Sequence, residues 1–288
     1  MFKDRLTPYI FLVPSIILLL AFKILPIGAS LWESLHFTSI ARGPVFVGLE
    51  NYEFLLKHDP VFWNSLKVTL KYNLIVNPLI VIISLGMALL LNRKARYIPF
   101  FRSLYFLPSA ISYTVVAVIW GVMLDPYYGL VNSLVGAIGI NPQPFFSSPS
   151  QSLYTLIFVG AWRSVGYWMM FYLAGLQSIP QTVYEAASID GASSWQQTLR
   201  ITLPLLTHTS AFVLVGNVSF NFLTFAPVYV LTRGGPRGAT NVLMYESYKS
   251  AFINLDLGRA TAISTILLGI ILVVSFISLR INRAEYEY

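Results

Sequence analysis

The sequence predicts an all-α membrane protein with six membrane-spanning helices. Hydrophobic residues make up 56% of the 288 residues and charged residues only 11%, whereas soluble domains carry about 25% charged residues. The mean hydropathy of +0.67 agrees with this composition. Apolar stretches of about 20 residues or more, the length that crosses a bilayer, occur six times. We therefore expect a single transmembrane domain over residues 1–288.

The first apolar stretch lacks a small-residue cleavage site and is too long for a signal-peptide core, so we expect it to be retained as a span. Between the third and fourth stretches, the segment 141–149 is rich in Pro and Ser and is predicted to be irregular. In chain order, the predicted spans are 8–30, 66–91, 101–124, 153–176, 205–231 and 260–279.

Lys and Arg counts predict the orientation in the membrane, because these residues are concentrated in cytoplasmic loops. The loop 125–152 contains none and is predicted to be external. Both chain ends carry Lys or Arg and are predicted to be cytoplasmic, and we attribute the net charge of +7 to this bias rather than to nucleic-acid binding. The segment 233–259 is an exception to this rule, because it is predicted to be external and yet contains Arg233, Arg237, Lys249 and Arg259. The loop between the second and third spans supports it with Arg93, Lys94, Arg96 and Arg102.

The predicted cytoplasmic loop 177–204 is expected to form two short helices rather than a flexible linker. Ser178 is predicted to cap the first helix, with Pro180 in its first turn. Gly191 is predicted to end that helix in a left-handed conformation. Ser193 or Ser194 is predicted to cap the second helix, which runs until Pro204. Within the first helix, Ala186 and Ala187 offer a small face to another protein, and Glu185 and Asp190 offer hydrogen-bond groups.

This loop resembles the EAA loop of binding-protein-dependent ABC importer permeases. The match covers Glu185-Ala186-Ala187, Gly191 and Ile201-x-Leu203-Pro204 at the family's spacing. Elsewhere, Gly48-Leu49-x-Asn51-Tyr52, Leu107-Pro108 and Thr232–Pro236 look like the carbohydrate-uptake branch, similar to the MalF and UgpA subunits. The resemblance implies a protein of the bacterial or archaeal cytoplasmic (inner) membrane that imports a sugar, glycoside or polyol derivative.

The resemblance also implies partners. These are a second homologous permease subunit, two ATPase subunits and an external solute-binding protein. ATP and Mg would be bound by the ATPase subunits, so no cofactor, metal site or catalytic residue is expected in this chain. The first helix of the loop would dock into a groove on the ATPase. It would do so through Tyr184, Glu185, Ala186, Ala187, Asp190 and Gly191.

Missing motifs narrow the function further. No G-x-x-x-x-G-K-[ST] sequence is present, so the chain lacks that device for binding nucleotide phosphates. Every acidic residue is predicted in a loop or near a span end, whereas ion-coupled carriers place acids near the bilayer centre. This argues against the alternative function, a self-contained secondary sugar transporter. A membrane enzyme would require a catalytic constellation that the sequence does not contain.

Two polar and aromatic stripes occur at i, i+3, i+4, i+7 spacing, which places each on one helical face. They serve either as interhelical hydrogen-bonding faces or as the lining of a solute pathway. By ungapped counting from the EAA loop, the eight positions coincide with those lining the sugar site in maltose-type permeases. They are Gly160, Arg163, Ser164 and Tyr167 in the fourth span and Asn217, Phe220, Asn221 and Thr224 in the fifth.

Arg163 departs from the family pattern, because it replaces an apolar residue. It suits a phosphate, a carboxylate or a cluster of hydroxyl groups. Asn221 is the strongest candidate for contact with a sugar, since its amide offers two donors and an acceptor to neighbouring hydroxyls. In the third span, Ser109 and Tyr113 are secondary candidates for the same pathway.

Overall fold

The computed structural model describes residues 3–39, 42–93 and 95–281, and this part of the chain is mostly helical. Lys94 and Arg283, on which the predicted orientation partly rests, lie outside these residues. The chain divides into two compact units. The first comprises residues up to Trp63 together with Glu246–Leu268. The second comprises Asn64–Tyr245 together with residues from Gly269 onward.

The first unit begins with a long helical segment made of Lys3–Leu19, a π-helical turn at Leu20–Ile24, and Leu25–Glu33. Its apolar part, Phe11–Glu33, has 23 residues, which is enough to cross a membrane. The residues of its most apolar stretch are not buried within the protein. This helix occupies the first predicted span and ends three residues later than predicted.

A short antiparallel hairpin follows, which the all-α prediction did not include. Strand His36–Ser39 pairs with strand Arg42–Phe46, with His36 opposite Phe46. Helix Glu50–His58 comes next, and its Asn51 amide donates to the backbone oxygens of Ser34 and His36 at 2.9 and 3.0 Å. The second strand contains Gly43 and Pro44, which are uncommon inside strands, so the sequence carries little strand signal here.

In the first unit, the buried carboxylates of Asp59 and Glu246 are the acidic members of a cluster of ion pairs. Arg259 Nη2 lies 2.5 Å from Asp59 Oδ2 and 3.4 Å from Glu246 Oε1. Lys249 Nζ lies 2.7 Å from Glu246 Oε2. Two of the four basic residues that oppose the predicted orientation are therefore held in ion pairs.

In the second unit, helices Ile98–Ala110 and Thr207–Phe222 both pack against helix Ser152–Ser178. Gly166 makes the first of these contacts close, since a Cβ on it would lie 1.9 Å from the backbone oxygen of Tyr105. Gly216 similarly packs its backbone against the ring of Trp168. Small residues at helix contacts are typical of membrane proteins, because they let backbones approach.

Three described helices are long and apolar enough to cross a membrane, namely Phe11–Glu33, Pro60–Leu91 and Leu257–Ser278. Two bent helix pairs meet the same test if each is taken as one span, which gives up to five among the described residues. Helix Ser152–Ser178 has the length, but its polar side chains make it less apolar than the other three.

The third and fifth predicted spans are not single continuous helices. The third consists of Ile98–Ala110 and Tyr113–Met123, which meet at 97°. In the fifth region, Ser194–Leu205 and Thr207–Phe222 meet at 64°, and the helix ends at Phe222 instead of Leu231. Hydropathy averaged over the length of a span does not reveal such breaks, because the few residues at a bend contribute little to the average.

The segment after Met123 is fixed by side-chain hydrogen bonds. Asp125 Oδ1 accepts from the backbone N–H groups of Tyr127 and Tyr128, both at 2.8 Å, and these bonds lower the pKa of this exposed carboxyl. Asn132 exchanges hydrogen bonds with the backbone of Gln143, which ties the Pro- and Ser-rich segment 141–149 to helix Leu130–Ala137. As predicted, that segment is irregular apart from one 3₁₀ turn, Phe145–Ser147.

The remaining elements of the chain are short helices. They are the α-helices Gln181–Ile189, Ser194–Gln197, Leu203–Leu205 and Leu243–Tyr248 and the π-helical turns Thr198–Thr202, Val228–Thr232 and Lys249–Ile253. The final helix is longer and runs over Leu257–Ile281.

Candidate functional site

Two helix breaks in the second unit create the candidate site. At the first, Ile111 and Ser112 are extended between helices Ile98–Ala110 and Tyr113–Met123. At the second, helix Thr207–Phe222 stops and the chain continues without helical structure through Thr224. Helix breaks within a membrane protein are tolerated where the backbone is buried in protein or lines a cavity.

The two breaks and helix Ser152–Ser178 surround a cavity of about 510 Å³, which we call the central pocket. This volume falls within the usual range for small-molecule sites, roughly 300–1,000 Å³. Nine of the ten sequence-predicted pathway residues line it. They are Ser109, Tyr113, Arg163, Ser164, Tyr167, Asn217, Phe220, Asn221 and Thr224, joined by Trp168, Leu223, Phe225 and Ala226, which the sequence analysis missed.

Gly160 is the predicted pathway residue that does not line the central pocket. It lies beneath two tyrosine hydroxyl groups, and a Cβ there would come within 2.6 Å of Tyr72 Oη and 3.0 Å of Tyr113 Oη. Gly160 therefore leaves room for the tyrosine that forms part of the pocket wall, and it offers no surface of its own to a solute.

Arg163 is anchored at the first helix break. Its Nε donates to the backbone oxygen of Ile111 at 3.3 Å and its Nη2 to that of Ser109 at 3.4 Å. Its guanidinium lies over the ring of Tyr113, 4.8 Å from the ring centroid. A helix end leaves backbone carbonyls without intrahelical partners, so Arg163 satisfies two groups that the break exposes. It is also partly accessible from the central pocket.

The amide of Asn221 is already engaged by the protein, contrary to the expectation that its donors are free for a sugar. Its Nδ2 donates to Asn77 Oδ1 at 2.8 Å and to Asn217 Oδ1 at 3.0 Å. Asn217 Nδ2 in turn donates to the backbone oxygen of Asn77 at 3.4 Å. All three side chains are buried. Asn217 and Asn221 therefore form a polar wall of the pocket that is held in place by Asn77.

Asn77 belongs to a polar ladder on helix Pro60–Leu91 that the sequence analysis missed. Asn77 Nδ2 donates to Asn73 Oδ1 at 3.1 Å, and Asn73 Nδ2 donates to the Thr69 backbone oxygen at 2.9 Å. Thr69 Oγ1 then bonds to the Ser65 backbone oxygen at 2.8 Å. The signal was present in the sequence, since four polar residues recur every fourth position in an otherwise apolar span.

Aromatic rings line another part of the central pocket. The rings of Tyr167 and Trp168 lie 5.0 Å apart in an edge-to-face arrangement, and Trp168 lies 6.2 Å from Phe220. Trp168 is buried, whereas Phe220 is 66% exposed. Such rings present apolar faces beside the hydroxyl and amide groups, and this mixture is suited to a solute with both polar and apolar faces.

The predicted EAA helix is present as Gln181–Ile189, and Gly191 after it has φ +78°, which confirms the predicted left-handed conformation. Pro180 is extended and directly precedes the helix. Ser178 does not cap this helix as predicted. Instead it lies at the end of the preceding one, where its Oγ donates to the backbone oxygen of Gly175.

The second helix of the loop is capped by Ser193, as one of the two predicted alternatives. The backbone N–H groups of Ser193 and Gln196 bond reciprocally to each other's side chains, which forms a capping box. This helical segment continues through Pro204 to Leu205, so Pro204 does not end it as predicted. Proline is tolerated there because it falls in the first turn of Leu203–Leu205, which follows a π-helical turn.

Two hydrogen bonds join the two helices of the EAA loop. Tyr184 Oη and Thr202 Oγ1 are 3.0 Å apart, and Gln197 Nε2 donates to Ser188 Oγ at 3.0 Å. Of the six predicted coupling residues, Glu185, Ala186, Asp190 and Gly191 are exposed, while Tyr184 and Ala187 are partly buried. The loop is therefore a cross-braced helix pair with an exposed face.

Residues 80–284 match the family described as "Binding-protein-dependent transport system inner membrane component". The chain belongs to this family. It is a multi-pass permease of the inner membrane and a transport component of an ABC importer rather than an enzyme. The resemblance carried by the EAA loop is thereby confirmed.

Relatives match the permease over almost its whole length. The probable ABC transporter permease protein YurN of Bacillus subtilis is 38% identical over 290 residues, covering 99% of each chain. The sn-glycerol-3-phosphate transport system permease protein UgpA of Salmonella choleraesuis is 32% identical, covering 100% of this chain and 97% of the relative. A solved bacterial alginate ABC transporter, in complex with its alginate pentasaccharide-bound periplasmic protein, matches with a TM-score of 0.85. That match is 24% identical and covers 98% of this chain and 95% of the other, and it supports the fold.

Proposed function

We propose that this permease forms one half of the transmembrane pathway for a sugar, glycoside or polyol derivative, and that the solute passes through the central pocket. The observation that carries this proposal is the convergence of nine predicted pathway residues, from three separate regions of the sequence, on one cavity. The named solutes of two similar proteins, sn-glycerol 3-phosphate and alginate, both carry several oxygen atoms and agree with a polar pocket that contains aromatic faces.

The pathway is completed by a second homologous permease subunit, and an external binding protein delivers the solute. Two ATPase subunits bind ATP and Mg on the cytoplasmic side, so that this chain needs no cofactor of its own. The EAA helix docks on one ATPase through residues 184–191. Support comes from the bracing of this helix, because a braced helix pair transmits displacement whereas a flexible linker does not.

The proposed orientation follows the Lys and Arg distribution. Both chain ends and the EAA loop face the cytoplasm, and the segment 125–152 faces outward. The hydrogen-bonded arrangement of Asp125, Asn132 and Gln143 gives that outer segment a fixed shape toward the binding protein.

The test is import of radiolabelled solute into proteoliposomes that contain the complete transporter with its loaded binding protein. Phe220→Ala removes an exposed ring from the pocket, and we expect import at low solute concentration to fall about tenfold or more. Phe212→Ala is the matched control. It lies on the same helix and is 58% exposed, but it does not line the pocket, and it should import at the wild-type rate.

Equal import by both variants and the wild type would refute the pathway assignment. Uptake that is driven by an ion gradient without ATP would instead support the secondary-transporter alternative. The affinity of the binding protein for the solute should not differ among the variants, because that site lies on another chain.

A further inference from the structure

We infer that the transported solute carries a carboxylate or phosphate group and that Arg163 binds this group in the central pocket. The inference rests on the proposed function of that pocket. It begins from the charge of the lining, since Arg163 is charged and no Asp or Glu occurs among the described residues that surround the cavity. The pocket therefore carries a net positive charge.

Arg163 has no carboxylate partner in the described part of the chain. The ion pairs formed there use Lys57, Lys249 and Arg259 as their basic members. An ionised side chain within a membrane-spanning segment is costly and is normally paired with an opposite charge or with backbone carbonyls. Arg259 shows the usual arrangement, because it contacts both Asp59 and Glu246. Arg163 contacts two backbone carbonyls and an aromatic ring but no opposite charge among the described residues, and an anionic solute would supply that charge.

The existing contacts of Arg163 leave capacity for a ligand. Its two hydrogen bonds, at 3.3 and 3.4 Å, are longer than the usual 2.7–3.2 Å. They use two of the five N–H donors of a guanidinium. The ring of Tyr113 covers one flat face, while the donors lie in the plane of the group, where they match the oxygens of a carboxylate or phosphate in pairs.

The rest of the pocket suits a hydroxylated body attached to such an anion. Ser164 and Tyr167 follow Arg163 on the same helix and contribute hydroxyl groups, and Phe220 contributes an apolar face. The volume of about 510 Å³ is in the range of small-molecule sites. Phosphorylated polyols and sugar acids of small size combine these features.

A purely structural role for Arg163, as a cap for the carbonyls of Ser109 and Ile111, makes a different prediction. A cap contributes equally to transport of any solute, whereas an anion site contributes only to anionic ones. The informative quantity is therefore the ratio of import rates for an acidic solute and its neutral counterpart, and not either rate alone.

The first experiment measures which solutes the wild-type transporter accepts. Isothermal titration of the binding protein, followed by import into proteoliposomes, is carried out with two pairs of probes. The pairs are glycerol 3-phosphate with glycerol, and a uronic-acid disaccharide with its carboxyl-reduced neutral form. We expect binding and import of an acidic member and at least tenfold weaker import of its neutral partner. Efficient import of neutral probes only would overturn the inference while leaving the proposed pathway intact.

The second experiment compares Arg163→Gln with Arg163→Lys in the same proteoliposomes. Gln retains a donor for the backbone carbonyls without the charge, and we expect it to lower the acidic-to-neutral import ratio about ten- to a hundredfold. Lys keeps the charge and should restore part of that ratio. An unchanged acidic-to-neutral import ratio in Arg163→Gln would show that Arg163 serves only as a cap for the backbone carbonyls. If that variant fails to assemble, the wild-type probe pairs decide the question. If the proposed pathway itself is wrong, Phe220→Ala will have no effect on the import of either probe. This result distinguishes failure of the proposed function from failure of the anion inference.

Discussion

The substitution Gly166→Ala tests the close contact between helices Ile98–Ala110 and Ser152–Ser178. The added Cβ would lie 1.9 Å from the backbone oxygen of Tyr105, and atoms of this kind essentially never approach within 3.0 Å. The helices would have to separate by about 1.1 Å at this point. No side-chain rotation relieves the clash, because the opposing atoms belong to the backbone.

Overpacking of this kind costs about 1–3 kcal/mol, and occasionally more. Because backbone must move, we expect the upper end of this range, which corresponds to roughly a hundredfold shift in the folding equilibrium. Import should fall as well, since the same two helices carry Arg163 and the carbonyl groups that it contacts.

The assay is thermal unfolding of the purified permease in detergent, followed by size-exclusion chromatography after heating. Gly86→Ala is the matched control, since Gly86 is also helical but has no atom within 4 Å of the added Cβ. We expect Gly166→Ala to lose its monodisperse peak several degrees below both the control and the wild type. Equal thermal stability of the two variants would refute the packing argument.

Three further predictions concern coupling, topology and the pocket wall. Gly191→Val should reduce ATPase stimulation in the assembled transporter, because φ +78° is strained for a β-branched residue; full stimulation with normal membrane insertion would contradict a coupling role. The chain has no cysteine, so introduced cysteines report accessibility without background. Ser147→Cys should react with an impermeant thiol reagent added outside cells, and Ser193→Cys should not. The reverse labelling pattern would show that the predicted orientation is inverted. Asn77→Ala should destabilise the detergent-solubilised permease by about 1–3 kcal/mol, because Asn221 loses a buried acceptor. The control Leu74→Ala, at an exposed position of the same helix, should have little effect. Similar losses of stability in the two variants would argue against a stabilising role of the polar ladder.

The sequence was sufficient for features set by neighbours along the chain. Apolar stretches located the helical regions, because the cost of exposing apolar surface is summed over consecutive residues. Gly191 and Ser193 were identified as helix-ending and helix-capping residues, since their roles depend on backbone groups no more than four residues away. Seven of the eight residues on the i, i+3, i+4, i+7 stripes line one cavity, because residues at this spacing share a helical face.

Only the tertiary structure decided which polar groups remain available in that cavity. Asn221 bonds to Asn77, 144 residues away, and Arg163 bonds to carbonyl groups more than 50 residues away. The Arg163 contacts depend on where helix Ile98–Ala110 stops, and hydropathy averaged over a span does not locate that break. Hydropathy depends on side-chain composition, whereas a helix break depends on whether packing and side chains from distant segments satisfy the backbone groups that the break exposes.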